Sequence, residues 1–449
     1  MTGEAQPVKA YTFRDGKLKS PVLRLLNAAG QAASFVGMKP SLDPDSIVEA
    51  AIKDAGSSDF GGDSYREPLE RLMDSMEREA NLSTFGSVVV RTMVTTQLVT
   101  RIRLQEWTKA NPAAKDEEIR RPWVILGMPR TGTSILSILL GLDPMVRPLR
   151  QWEARAVTPP STLATKFDDP RIADAEKGME GLKKMNPAVA AMHPFGAMLA
   201  EECIPLMMLD LRCLGMETQA RVPSYGDWLQ QCDMHPAYVQ HKKALQALQI
   251  GQPTEAWSLK TPNHLWCLDT LLEFYPDARL IWTHRDPGPV TTSVSSLNST
   301  MQSTFTRDLD PVQIGQDWKA KLKHAVAAGI EFDERTPDGW CVHVHYSEMM
   351  KDPLATMRQI YAHFGETPSE LHERRIAAWL GEKPQTAHGK HVYDPKDFGW
   401  SYDGLAEEWS HYTKRYGIER ERLSVRMGFA SQGAAVARFS PPARLELSK

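Results

Sequence analysis

Cysteine is scarce and unpatterned in this chain: Cys203, Cys213, Cys232, Cys267 and Cys341 are odd in number, widely spaced and free of CxxC pairs. Such spacing speaks against a disulfide framework and a structural zinc site, and it fits a reducing, cytoplasmic setting. Long hydrophobic runs are missing too. The richest, "ILSILLGL" and "CIPLMMLDL", fall well short of the roughly 18 to 20 residues of a membrane span. The opening "MTGEAQPVKAYTFRDGKLKS" has no apolar export-signal core. No membrane span and no export are therefore expected. Neither sign of charge dominates, with 53 Lys and Arg against 56 Asp and Glu. A nucleic-acid partner is accordingly not expected, and positive charge should be local, aimed at a small anion. Repeats, low-complexity blocks, HExxH and acidic calcium loops are all lacking, so no metal is expected.

What is present is an ordinary globular composition, 42% hydrophobic over 449 residues, enough for one large core or two modest ones. Residues 1 to about 120 read as a helical N-terminal region packing on a core. "REPLERLMDSMEREA" sets Leu69, Leu72, Met73 and Met76 on one face, and the next run sets Val90, Met93, Val94 and Leu98 likewise. After Pro122 short apolar strands alternate with helices: Trp123 to Leu126, "AWSLK" ending at Lys260, Leu280 to Thr283, and "WCVHVHY". Strands separated by helices predict parallel pairing, hence a three-layer α/β/α domain over 121–449, with ligands at the carboxyl ends of the strands. A Met- and Pro-rich insert, about 155–255, should lie over that edge as helices and loops, its methionines lining an adaptable apolar pocket or simply filling core.

The stretch "PWVILGMPRTGTSILSILL" passes from strand through a glycine turn into a helix, which is an anion cradle. A nucleotide triphosphatase loop reads GxxxxGK followed by Ser or Thr, its lysine offsetting β/γ-phosphate charge. Here the glycine spacing survives as Gly127 and Gly132, but Thr133 stands where the lysine would be, and positive charge has moved forward to Arg130. Such a loop suits a less charged terminal group than that of ATP or GTP.

"GMPRTGTS" resembles the 5′-phosphosulfate loop of sulfotransferases that use 3′-phosphoadenosine 5′-phosphosulfate (PAPS), in the PRTGT form of bacterial members and tyrosylprotein sulfotransferases. "LIWTHRDPGPVTTSVSSL" resembles that family's 3′-phosphate segment, with Arg285 closing a strand and Ser293 eight residues later. Arginine offers a forked, permanently charged donor and serine a hydroxyl. Independently, Asp286 should cap a Pro-initiated helix. The likeness extends from "SYREPLERL" to "HGKHVYDPKDFGW", and it implies a P-loop-like fold.

By that resemblance, Arg130 and the amides of Thr131, Gly132, Thr133 and Ser134 bind the 5′-phosphate and sulfate, and Lys260 stands beside the bridging oxygen; a solvated lysine ahead of a helix is its other reading. Glu153, two residues beyond the family spacing, matches the tyrosylprotein enzymes' glutamate base, or else is a helix-face glutamate paired to Arg150 or Arg155. His264, His193 and the Glu201–Glu202 pair are further candidate bases, His264 serving equally well as a helix cap. Lys390, His391 and Tyr393, in a loop at about 385–400, resemble the segment that covers the nucleotide, with an exposed basic loop as the alternative. The resemblance thus implies a PAPS-dependent sulfotransferase acting on an alcohol or phenol. The lower charge of a sulfuryl group than of a phosphoryl group makes it metal-independent by expectation, and the tryptophans, methionines and long insert point to a lipid, steroid or polyketide-like acceptor over a sugar. Its rivals are a P-loop kinase, disfavoured by Thr133, and a nucleotide-binding module without chemistry. The N-terminal helices offer a surface for a homodimer.

Overall fold

The computed structural model describes residues 10–16, 28, 40–192, 196–381, 390–421 and 428–430. Five strands form the central sheet: β1 (Trp123–Gly127), β2 (Val146–Pro148), β3 (Ala256–Lys260), β4 (Arg279–His284) and β5 (Cys341–His345). Their order is β2-β3-β1-β4-β5, and every pairing is parallel. Strands 1, 3, 4 and 5 lie where the apolar runs predict them. The short β2 escapes the pattern because three residues, one of them proline, carry no periodicity of their own.

Alternation along β1 divides the molecule into layers. Trp123 and Ile125 face one core, with Leu136, Leu139, Ile281 and Val342. Val124 and Leu126 face the other, with Trp257, Leu259, Leu280 and Trp282. Side chains alternate across a strand, so a centre strand apolar at every position must be covered on both faces, which is the three-layer architecture.

Helix α1 (Thr84–Ala110) forms despite its β-branched residues. Ser83 caps it, accepting from the Gly86 amide at 3.0 Å. Val90, Val94, Leu98 and Ile102, each four residues on from the last, are buried in the same core as Leu69, Leu72, Met73 and Met76. Burial of that stripe outweighs the few tenths of a kcal/mol per residue that β-branching costs, roughly 1.5–3 kcal/mol being gained per buried side chain. Arg101 on α1 donates to Asp210 at 2.7 Å and to the Phe60 carbonyl at 2.8 Å, fully buried, so α1 is tied to the insert.

After β1 the chain turns at Gly127 and Gly132 into α2 (Thr133–Gly141). Gly127 has φ +128°, and a Cβ there would sit 2.5 Å from the Thr283 hydroxyl and 2.8 Å from its carbonyl. Gly127→Ala is therefore expected to lose more than about 1 kcal/mol of stability, read as a lower Tm; an unchanged Tm would show that the turn tolerates a side chain. The insert supplies Pro170–Met185, Pro187–Met192, Ile204–Met207, Pro223–Leu229 and α3 (His235–Gly251). Helix α4 (Pro287–Gln302) follows β4, capped by Asp286 as expected, which accepts from the Gly288 amide at 3.0 Å. Strand Lys390–Val392 pairs with Ala10–Tyr11 and Gly428–Ala430 in a small second sheet. Among the described residues no helix is long and apolar enough to cross a membrane.

Candidate active site

The loop after β1 is held from below. Thr131 is buried, and its hydroxyl donates to the Met128 carbonyl at 2.6 Å and lies 2.6 Å from the Thr283 hydroxyl. Its side chain therefore braces the loop, leaving the amides that open α2 without intrahelical acceptors. Arg130 has φ +69°, sparsely populated for a residue with a Cβ. That twist sends its guanidinium across to α4: Nε donates to Ser293 Oγ at 3.2 Å, and Nη1 to the Met192 carbonyl at 2.9 Å. Burial lowers its affinity for the proton, Tyr393 opposing and Arg285 adding to the effect, yet a guanidinium stays charged.

The second motif converges on the same spot. Arg285, at the end of β4, donates to the Arg130 carbonyl at 2.8 Å and lies 4.2 Å from the centre of the Tyr346 ring. Its remaining fork faces Glu421, with Nε at 2.6 Å and Nη2 at 3.1 Å from the carboxylate. Burial disfavours the charge on Arg285, but the Glu421 pair overcomes this and raises its pKa. Three hydroxyls of α4 are spent on their own helix, Thr292 on Gly288, Ser295 on Thr291 and Thr300 on Ser296. Ser293 instead meets Arg130 and Tyr393. Burial pushes the Tyr393 hydroxyl up to about 12. His391 bonds Ser296 at 2.8 Å, and burial, then Arg130, pushes it down to about 3. It is neutral near pH 7. The side chain of Lys390 lies outside the described residues.

A cavity of about 680 Å³ opens from this cluster. Arg130, Gly132, Thr133, Ser134, Arg285 and Tyr393 line one end, and Glu201 and Glu202 part of its wall. Much of the rest is sulfur and hydrocarbon: Met93, Met179, Met192, Met208, Met216 and Met301. Four of these come from the insert. Lys260, closing β3 and buried, donates to Glu202 at 3.0 Å, so a cation from the sheet meets a carboxylate of the cavity wall.

Two expected residues are elsewhere. Glu153 is fully buried and does not line the cavity; Oε1 accepts from Arg147 at 2.8 Å, Ser161 at 3.0 Å and Gln252 at 2.9 Å. Its ion-pair partner is thus neither Arg150 nor Arg155, and the three donors that surround it all hold Oε1. His264 is likewise sealed away, its Nδ1 2.6 Å from the Tyr238 hydroxyl, and Thr261 caps the turn that His264 was expected to open. Burial, with His241 nearby, drives its pKa well below the usual imidazole range. His193 lies outside the described residues.

Tyr346 and Glu421 were not foreseen from sequence. Tyr346 had a signal, since it follows the carboxyl end of β5 as Arg285 follows that of β4. Glu421 had none: its place comes from a contact with Arg285 across 136 residues.

A model described as "Sulfotransferase family" matches residues 122–370. The crystal structure of a sulfotransferase from Mycobacterium avium superposes with a TM-score of 0.77, is 30% identical, and covers 84% of this chain and 98% of its own. One from Mycobacterium tuberculosis H37Rv gives 0.73 at 31% identity, covering 82% and 98%. An omega-hydroxy-beta-dihydromenaquinone-9 sulfotransferase of Mycobacterium tuberculosis is 23% identical over 312 residues, 67% of this chain and 76% of the relative.

Proposed function

Because this chain belongs to the sulfotransferase family, we propose that it transfers a sulfuryl group from PAPS to a hydroxyl of a small, largely apolar acceptor. The observation that carries the reading is a single cavity with paired arginines at one end, the Lys260-bound Glu202 in its wall and methionines along the rest. Glu421 occupies the forked face of Arg285 that a phosphate would use, so a bound 3′-phosphate has to displace this carboxylate. When bound, PAPS supplies the sulfuryl group and a bisphosphate leaving group.

In this proposal Arg285 and Ser293 hold the 3′-phosphate, with His391 and Tyr393 closing over the nucleotide and Lys390 adding charge. Arg130 and the amides of Thr131, Gly132, Thr133 and Ser134 hold the 5′-phosphosulfate. Glu202 takes the acceptor's proton in place of Glu153, and Lys260 offsets charge gathering on the leaving oxygen. Arginine, lysine and amides suffice for a sulfuryl group, which bears less charge than a phosphoryl group, so the reaction is proposed to be metal-independent. Residues of about 155–255 form the acceptor pocket against the helical N-terminal region and the 121–449 core. Flexible methionines suit a long or irregular hydrocarbon, and a relative is named for a hydroxylated menaquinone, so a lipid alcohol is the acceptor class put forward.

Calorimetry tests the nucleotide half. Adenosine 3′,5′-bisphosphate should bind well and ATP poorly. Arg285→Ala should weaken the bisphosphate about 10- to 100-fold, as expected for a charged hydrogen-bond donor worth about 1.5–3 kcal/mol. Equal affinity for ATP, or an indifferent Arg285→Ala, would sink this reading in favour of a kinase or a plain nucleotide-binding module.

A further inference from the structure

Next to the Lys260–Glu202 pair, but outside the cavity lining, three side chains from separate elements meet. Cys203 precedes the helix Ile204–Met207, His241 lies on α3, and His264 sits in the 3-10 turn Pro262–Trp266 after β3. All three are completely buried, and their ligand atoms lie within 4.8 Å of one another. Each imidazole is anchored at Nδ1: that of His241 lies 2.7 Å from the Tyr275 hydroxyl, and that of His264 2.6 Å from the Tyr238 hydroxyl. Among the described residues the Nε2 atom of each ring is buried with no hydrogen-bond partner.

Burying one ring nitrogen unsatisfied is costly, and native interiors rarely do it. Here two such atoms belong to one cluster with a thiol. If each Nδ1–H donates to its tyrosine oxygen, each Nε2 carries a lone pair, and the hydroxyls act as the outer supports that fix tautomer and ring orientation in metal-binding histidines. We propose that Cys203, His241 and His264 supply the three protein ligands of a buried site for a thiophilic cation of the zinc class, with a water in the fourth position. One sulfur and two imidazole nitrogens select a borderline-soft ion over magnesium or calcium, which seek oxygen. Bonds of about 2.0–2.3 Å place tetrahedral ligands about 3.3–3.6 Å apart, so loading draws the three side chains inward by roughly an ångström. The Cys203 S–H bond breaks as the metal–sulfur bond forms, and the proton leaves to solvent.

The cation would join α3, the turn after β3 and the segment bearing Glu202. Since the Cys203 amide also donates to the Lys260 carbonyl at 2.8 Å, such a staple would fix the backbone that holds Glu202 beside Lys260. It takes no part in sulfuryl transfer, and its test does not depend on that activity.

Untagged protein produced in cobalt-supplemented minimal medium should contain close to one cobalt per chain and show thiolate-to-cobalt charge-transfer absorption. Cys203→Ser should lose the band, whereas Cys267→Ser, altering a buried cysteine beside Tyr238 but outside the cluster, should keep it. Folded wild type with cobalt far below stoichiometry, or a band that survives Cys203→Ser, overturns the proposal. If Cys203→Ser does not fold, wild type refolded with and without zinc decides: a higher Tm with zinc supports the site and an unchanged one refutes it.

Discussion

Glu202→Gln is expected to lower kcat by about 10²- to 10⁴-fold, the range that a positioned general base contributes, while affinity for adenosine 3′,5′-bisphosphate stays nearly unchanged. The amide keeps the size of the side chain and an oxygen for the Lys260 ammonium, 3.0 Å away in the native protein, but it cannot take a proton from the acceptor. Glu202 lies on the cavity wall with part of its side chain accessible, so the substitution should leave the fold intact. Steady-state kinetics with a sulfated-product readout, run beside calorimetry and a thermal melt, separates chemistry from binding and stability. A kcat within tenfold of wild type would remove Glu202 from the role of base.

Glu153→Ala should act on stability instead, costing about 3–5 kcal/mol, because deleting one partner of a buried ion pair leaves the other charge uncompensated. The stranded group is Arg147, only 7% exposed and held in place by the Leu248 and Gln252 carbonyls, both at 2.9 Å, with its guanidinium 4.4 Å from the Trp257 ring. It cannot swing out to water without breaking those contacts. Ser161 and Gln252 would also lose their shared acceptor. Urea denaturation should show a lower midpoint with an unchanged slope, and kcat per folded molecule should stay within about threefold. A collapse of kcat at unaltered stability would restore Glu153 as the base and displace Glu202.

The two carboxylates could not be told apart from sequence, and the reason is geometric. Both lie near apolar residues in segments flanking the sheet edge, and either would read as a base by composition. What separates them is a backbone pairing between distant segments: the Gln151 amide donates to the Leu199 carbonyl at 3.0 Å, Trp152 to Ala197 at 3.1 Å, and Glu201 to Leu149 at 2.7 Å. That register brings Glu201 and Glu202 to the cavity and turns Glu153 toward Arg147. That contact is made between segments some fifty residues apart, and nothing in either segment alone specifies it.

The strand-loop-helix after Pro122 was legible because each part is local: four apolar residues make a buried strand, Gly127 and Gly132 supply the positive φ that the turn demands, and the amides opening α2 are left free by helix geometry itself. Arg285, Asp286 and Ser293 were legible for the same reason, lying within one strand end, one cap and two helical turns. The residues themselves therefore determined a glycine turn between strand and helix, and an arginine, a cap and a serine at a second strand exit, on a parallel α/β sheet. Only the tertiary structure decided which carboxylate meets Lys260, that Glu421 faces Arg285, and that Cys203, His241 and His264 come together although their spacing matches no metal motif. Those outcomes depend on contacts between segments far apart in the chain, set by how helices pack over the sheet, and no short-range pattern encodes them.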